Sequence, residues 1–504
     1  MKTPVMAIVT RMLAALVVLG AVSPALAGEA ETRWYVLLLD GQKAGHMRET
    51  RTQGDGNLTT EQEMTFTLAR AGQDMSITLK SGFVETPDAK PVSMFQDQNL
   101  GLMKLKTSYT FTPEGVTEVT EQAGIKKEIK HPAITGDWLT PGGVEKLVAE
   151  KIKAGEKSFA FRTVSATTGP EAFETRVNVL EANTTAEGMG VVVPATKWET
   201  EASVLPGIKN VDWVDEKGRP VRTEVEIAGM RLTMLLSDEQ VAKSPFKAPE
   251  AMAQTTIVPT GTFELPARQT INAMYSVMRT DGGSLTFLEK TQDGAQRPTA
   301  TGPVEVLVKV DANWPVKEDL PLFEKEKYLA SSRACDAQDP MVVEMAKKAV
   351  EGMKDPNNIV EKSKVLRRAV FNAIEKKNLG VGMGTASEVV RTRQGDCTEH
   401  AVLLAALLRA QGIPSRTVSG VIYADQFEGQ RNVFVYHMWT QAWIENGDDR
   451  YWLDLDAVLP DDVVFDATHI ALSYSDLSDA DALNSLVMLT DVIGKLKIHI
   501  AVSK

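Results

Sequence analysis

Cysteine is nearly absent from this sequence: Cys335 and Cys397 are the only two thiols in 504 residues. Two cysteines do not make a disulfide framework, and alone they cannot supply the four ligands of a structural zinc site. A single Cys335–Cys397 bridge stays open as a redox form that would silence either thiol. Positive charge is also in deficit. The formal charge is -12, so no basic face for nucleic acid is implied. A long hydrophobic run is missing as well. The longest candidate, Met12 to Val22, falls short of the ~20 apolar residues that a membrane helix needs.

What stands at the N-terminus is an export pattern. Lys2 and Arg11 precede the short apolar run, and Ser23 and Pro24-Ala25-Leu26-Ala27 follow it. A basic region, a short apolar core and an Ala-x-Ala site predict a signal peptide over residues 1–27, cleaved after Ala27. No cysteine follows that site to carry a lipid. The expected location is periplasmic or secreted, with no stable membrane span.

A chain this long exceeds what one core organises, so two or three domains are expected. With 43% hydrophobic and 24% charged residues, its composition is that of ordinary globular protein. Residues 28–240 alternate in short strands with turns such as Asp40-Gly41, Pro113-Glu114-Gly115, Lys217-Gly218 and Ala228-Gly229, the signal of an antiparallel β-rich domain. Pro245, Pro249 and Pro259 mark residues 241–262 as a linker. Residues 263–320 read as a small β-rich segment. Residues 321–504 read as helices followed by antiparallel strands, an α+β domain. Within it Asp339 and Pro340 open one helix, and apolar spacing from Ile359 to Ile374 predicts another.

Cys397 lies in QGDCTEHAVLLAALLRAQGIPSR, Gln394 to Arg416. The apolar run closed by Gly412 and Pro414 predicts a helix over Cys397–Ala410. Unpaired N–H groups at its first turn favour a thiolate and can help hold an oxyanion. Taken alone, a cysteine in an apolar helix is most often a core residue. A nucleophile needs a base, and the base needs an orienting acid. His437 sits in YHMWTQAWIE with Trp439, Gln441 and Trp443 on the same face. The next strand, YWLDLD, puts Trp452, Asp454 and Asp456 on one face, within reach across an antiparallel pair. With that register, the order Cys, His, Asp favours a nucleophile over a core thiol.

These residues resemble the transglutaminase-like superfamily of papain-type cysteine enzymes. Gly395-Asp396-Cys397, Gly412-Ile413-Pro414-Ser415-Arg416, His437-Met438-Trp439 and Trp452 through Asp456 match its motifs in order, over roughly Asp339 to Asp466. The resemblance implies a papain-like α+β transglutaminase core. It implies Cys397 as nucleophile, His437 as general base and acid, and Asp456 as orienting carboxylate. Asp456 stands four residues after Trp452, where the family places its acid, but Ala457 follows where proline is usual. Asp454 therefore stays open as the alternative. Gln394 is the candidate for the family's second oxyanion donor, and Trp439 for a substrate-lining residue. No metal or other cofactor is implied, and the calcium dependence of animal members has no visible site.

Other features read as structural. His400 shares the nucleophile's helix and lacks a carboxylate in register. His46, His131, His469 and His499 lack metal-ligand spacing. The acid-rich VLPDDVVFDATH does not follow the EF-hand pattern and reads as a solvated loop.

The expected function is an exported cysteine-dependent amide hydrolase or acyltransferase that acts on a protein or peptide through a thioester. Hydrolysis is preferred because nothing indicates a cleft that excludes water or selects lysine. Amine attack on the same thioester would make it a cross-linking transglutaminase. A non-catalytic binding or scaffold module of the cell envelope with a retained triad is the alternative from another class. Metal binding by Cys397, His437 and the two aspartates is a third. N-terminal sequencing of the protein recovered from a bacterial periplasm should start at Gly28; a product that retains residues 1–27 removes the export reading.

Overall fold

Asp40 and Gly41 both adopt positive φ, 47° and 81°, which is the backbone a two-residue hairpin needs to follow strand twist. The computed structural model describes residues 30–503 except 71–72, 101–102, 123–124, 206, 228–229, 251–255, 286–287, 289–293, 303–304, 314, 378–383, 428, 448, 461–462, 464 and 479–491. The expected signal peptide and the Ala228-Gly229 turn lie outside the described residues. Two compact units divide the chain between Glu250 and Ala251.

In the N-terminal unit fourteen strands form one antiparallel sheet. Strand Glu31–Leu39 pairs with both Gln42–Gly54 and Met230–Ser237, so the start and end of this region meet in mid-sheet. The outermost strands, Ile125–Pro132 and Ser158–Ser165, flank a helix at Pro141–Ala154. Thr140 caps that helix and Gly155, left-handed at φ 68°, ends it. The strands run longer than the sequence suggested, reaching nineteen residues in Gly169–Glu187. Alternation places Tyr35, Met47, Phe66 and Ile77 in the interior, yet Glu49, Arg51, Gln62 and Asp212 are buried too. They survive burial by pairing: Arg51 Nη1 lies 2.8 Å from Glu145 Oε2, and Gln62 Nε2 donates to Glu49 Oε2 at 2.8 Å.

The C-terminal unit holds two further four-stranded antiparallel sheets. In one, strands Asn272–Arg279, Gln296–Thr301 and Glu305–Asp311 are completed by the chain's last strand, Leu496–Ser503. The stretch expected as a small separate β segment thus takes its missing partner from the far end of the chain. The expected linker is also more engaged than its prolines suggested. Glu239–Lys243 is a short helix, Ile257 and Phe434 exchange backbone hydrogen bonds, and Thr260 bonds to Ile498 and Ile500. Those partners are distant in sequence, which local turn chemistry cannot announce.

The other sheet runs in the order Asp449–Leu455, Gln430–Asn446, Ser415–Phe427, His469–Ser475. Helices Pro340–Val350, Ile359–Ala373, Ala386–Thr392 and Cys397–Ala410 share a core with it. Asp339 caps the first through a bond from Met341 N, and Pro340 occupies its first turn. The helix at Cys397–Ala410 is the central one. From Thr398 to Arg409 every residue is buried, so the thiol at its head is carried on a mount with no solvent-facing side. Replacing Leu404, which is fully buried, with alanine should cost about 2–5 kcal/mol of the unit's stability. Denaturant unfolding of the variant measures it; a loss under about 1 kcal/mol would mean the helix is not the core element described.

Candidate active site

The head of the central helix is held by two acids. Asp396 is the N-cap and accepts from Thr398 N at 2.8 Å. Glu399 Oε2 accepts from Asp396 N at 2.9 Å, closing a capping box. Glu399 Oε1 takes Gly384 N at 3.1 Å, tying the preceding loop to the same point. Burial, aided by the Asp396 carboxylate, pushes the Glu399 carboxyl well above the usual carboxylate range. A Cβ on Gly395 would stand 2.3 Å from the Glu399 Cβ, which explains the glycine ahead of Asp396. Cys397 is half-buried and packs on the helical core.

His437 comes from the long strand Gln430–Asn446, opposite Gly420. Asp456 lies one residue beyond the end of the neighbouring strand Asp449–Leu455, so its carboxyl is not bound by the ladder's face. His437 Nε2 and Asp456 Oδ2 are 2.7 Å apart and buried. Val458 N donates to Asp456 Oδ1 at 2.9 Å, which fixes the carboxylate plane. The ring's Nε2 is thereby taken, and the Cys397 thiol is near enough to favour the charged imidazole. Burial opposes a charge on His437, but the Asp456 carboxylate and the thiol outweigh it and raise the ring to about 9. Burial also opposes a charge on Asp456. Two imidazoles, His437 and His469, overcome that and hold it well below the usual carboxylate range.

Asp454 does other work. Its Oδ1 accepts from Trp439 Nε1 at 2.7 Å and Gln441 Nε2 at 2.8 Å, and its Oδ2 from Ala295 N at 2.8 Å. Trp439, expected beside the substrate, is 2% exposed and packs with Val418, Ala471, Phe465 and Tyr474. Its ring also stacks with that of His437, centroids 6.3 Å apart. Gln394 is half-buried in a two-residue strand parallel to Lys376–Lys377, three positions before the thiol. Arg416 of the Gly-Ile-Pro-Ser-Arg motif has its guanidinium 4.0 Å from the Trp452 ring centre and 3.9 Å from that of Tyr474. Its Nε donates to Gln441 Oε1 at 2.9 Å, so it is a packing cation. Both cysteines are free, and Cys335 is a core residue whose thiol burial pushes up to about 11.

Sequence reasoning missed His469 and Asp466. The stretch containing them was expected to be a solvated loop, but Asp466, Ala467, Thr468 and His469 are all buried. Arg268, paired with Asp466 at 2.8 Å across 198 positions, is what neutralises it, and no local pattern carries that signal. His469 Nε2 lies 3.3 Å from Asp456 Oδ2. His437, Asp456 and His469 are the ligand-type cluster found among the described residues. An ion taken by all three would displace both hydrogen bonds to Asp456. The wider set of Cys397, His437 and both aspartates is not gathered, since Asp454 is turned to Trp439 and Gln441.

The family model of the Transglutaminase-like superfamily matches residues 344–457. Among solved structures, a β-barrel-like protein of the domain of unknown function DUF1849 from Brucella abortus aligns at 12% identity, covering 42% of this chain and 98% of that one, with a TM-score of 0.33. A proposed cysteine protease from Cytophaga hutchinsonii aligns at 16% identity over 45% and 83% of the two chains, TM-score 0.27. The periplasmic domain of TgpA from Pseudomonas aeruginosa, bound to ethylmercury, aligns at 17% identity over 44% and 81%, TM-score 0.28. No curated protein matches the chain.

His437 and His469 both rise from 6.5 to about 9. Raised imidazoles contribute stability that is complete below about pH 6.5 and is lost as pH climbs through 9. The melting temperature should therefore fall over that window, and Asp456→Asn should flatten the fall while lowering stability at pH 6.5. An equally steep decline in the variant would place its source elsewhere.

Proposed function

We propose, from the transglutaminase-like assignment of residues 344–457, that this domain is the catalytic part of a cysteine-dependent amide hydrolase or acyltransferase with a papain-like core. The observation that carries the reading is the buried 2.7 Å bond between His437 Nε2 and Asp456 Oδ2, on a ring that also meets the thiol at the head of the helix. Transglutaminase-like proteins are generally cysteine-dependent enzymes, and the residues that chemistry needs stand together here.

In the proposed cycle, Cys397 is the nucleophile. His437 takes its proton, and Asp456 keeps the ring in one orientation and stabilises the imidazolium. The thiolate sulfur adds to an amide carbonyl carbon of a protein or peptide. The oxyanion is held by the Cys397 backbone N–H at the positive helix end, with Gln394 as a second donor. His437 then gives its proton to the leaving amine, the C–N bond breaks and a thioester remains. Water, deprotonated by His437, attacks the thioester carbonyl, releasing the acid and restoring the thiol. Hydrolysis is preferred to cross-linking because, among the described residues, the site carries no feature that selects a lysine. The basic-apolar pattern of residues 1–27 supports export as the setting for this chemistry.

Intact mass after brief iodoacetamide treatment at pH 6 tests the thiol without a known substrate. Wild type and Cys335→Ala should label rapidly, Cys397→Ala not at all, and His437→Ala more slowly by about tenfold or more. Slow labelling that ignores His437 in folded, reduced protein sinks the nucleophile and leaves a non-catalytic module.

A further inference from the structure

His469 has no neutral form that satisfies its surroundings. Its Nδ1 lies 3.1 Å from the Asp466 backbone oxygen and 3.2 Å from Asp466 Oδ1. A carbonyl only accepts, so Nδ1 carries a hydrogen. Its Nε2 faces Asp456 Oδ2 at 3.3 Å, again an acceptor. Either the ring or the carboxyl holds that second proton, and imidazole is the stronger base. Both nitrogens therefore donate, and the ring is an imidazolium. Phe465 stacks on it at 4.2 Å and Trp439 meets it edge-on at 5.2 Å, so the plane cannot turn away. The side chain has no exposure to solvent.

The charges around it balance without His437. Asp466 is shared by His469 and Arg268, whose guanidinium also bonds Thr468 and the Tyr423 carbonyl. Asp456 is shared by His469 and His437 through one oxygen. Tyr275, from another strand, faces this group only through its hydroxyl, which donates to the Ala467 carbonyl. Asp456 and Asp466 thus offset His469 and Arg268. A proton on His437 is an added positive charge with its ring centre 6.0 Å from that of His469.

We infer that His469 is a positioning residue of the Cys397–His437–Asp456 site: an imidazolium at neutral pH that clamps Asp456 Oδ2 and limits how strongly His437 holds its proton. The inference deepens the functional reading above and rests on it for its catalytic meaning. An acid paired with His437 alone would hold the imidazolium proton more tightly and make it a weaker donor to a leaving amine. A second cation on the same oxygen draws off part of that attraction. His437 can then cycle between its two states.

Imidazole ¹⁵N NMR on chelator-treated Cys397→Ala protein tests the charge directly. His469 should show two protonated nitrogens from pH 5 to at least pH 8. In the Cys397→Ala/His469→Gln double variant, the amide donor replaces Nε2–H without the charge, and the His437 titration should move up on the order of one pH unit. A His469 ring with one bare nitrogen at pH 7 overturns the inference, and so does a His437 titration that His469→Gln leaves in place. If the double variant does not fold, the single-variant spectrum decides alone. These spectra do not depend on Cys397 being a nucleophile. A neutral His469 beside fast, His437-dependent alkylation fells this inference only; a cationic His469 beside slow alkylation fells the functional reading and keeps the charge assignment.

Discussion

A carboxylate taken out of water must be paired, and the Asp456 oxygen at the centre of the C-terminal unit is paired twice. His437 reaches it at 2.7 Å and His469 at 3.3 Å. An unpaired charge at such depth would be costly enough to protonate instead. Both rings, the loop carrying Asp466 and the distant Arg268 are arranged so that this one oxygen stays ionised. The orientation of the His437 ring follows from it, since its Nε2 is turned to that oxygen.

Two neighbouring aspartates of one strand show how fine the placement is. Asp454 is inside the ladder, opposite Gln441, and spends both oxygens on Trp439, Gln441 and a backbone amide. Asp456 is just past the strand's end, where the chain leaves the pleat and the carboxyl can turn to the base. The same economy holds at the helix head. Asp396 and Glu399 cap the N–H groups on either side of Cys397, so the amide of the thiol residue stands in a rigid frame. Arg416 lies between the rings of Trp452 and Tyr474.

The N-terminal unit obeys the same rule with a different result. Its interior contains charged groups, but they pair with one another: Arg51 with Glu145, Glu49 with Gln62, and Asp212 with Trp198, Thr200 and Thr223. Burial raises Asp212 to about 6 even with three donors. A large antiparallel sheet can therefore keep charged groups inside where they find cross-strand or helix partners, as these do.

Much of the fold was legible because it is local. Asp40-Gly41 turns, period-two alternation, the Asp339-Pro340 start and the Cys397–Ala410 helix all rest on neighbours within a few residues. The candidate site was legible for a related reason: Cys397, His437 and Asp456 lie on a helix head and paired strands whose register can be counted. Three things could not be counted. The last strand completes a sheet begun more than two hundred residues earlier, Trp439 turns inward, and His469 and Asp466 are neutralised by groups from other parts of the chain. Hydrophobic period and turn chemistry act over a few residues, so sequence alone determined the elements and the types of residue able to do thiol chemistry. Burial and charge pairing are set by whatever the folded chain brings near, and only the tertiary structure decided which aspartate pairs with His437 and that a second imidazole shares it.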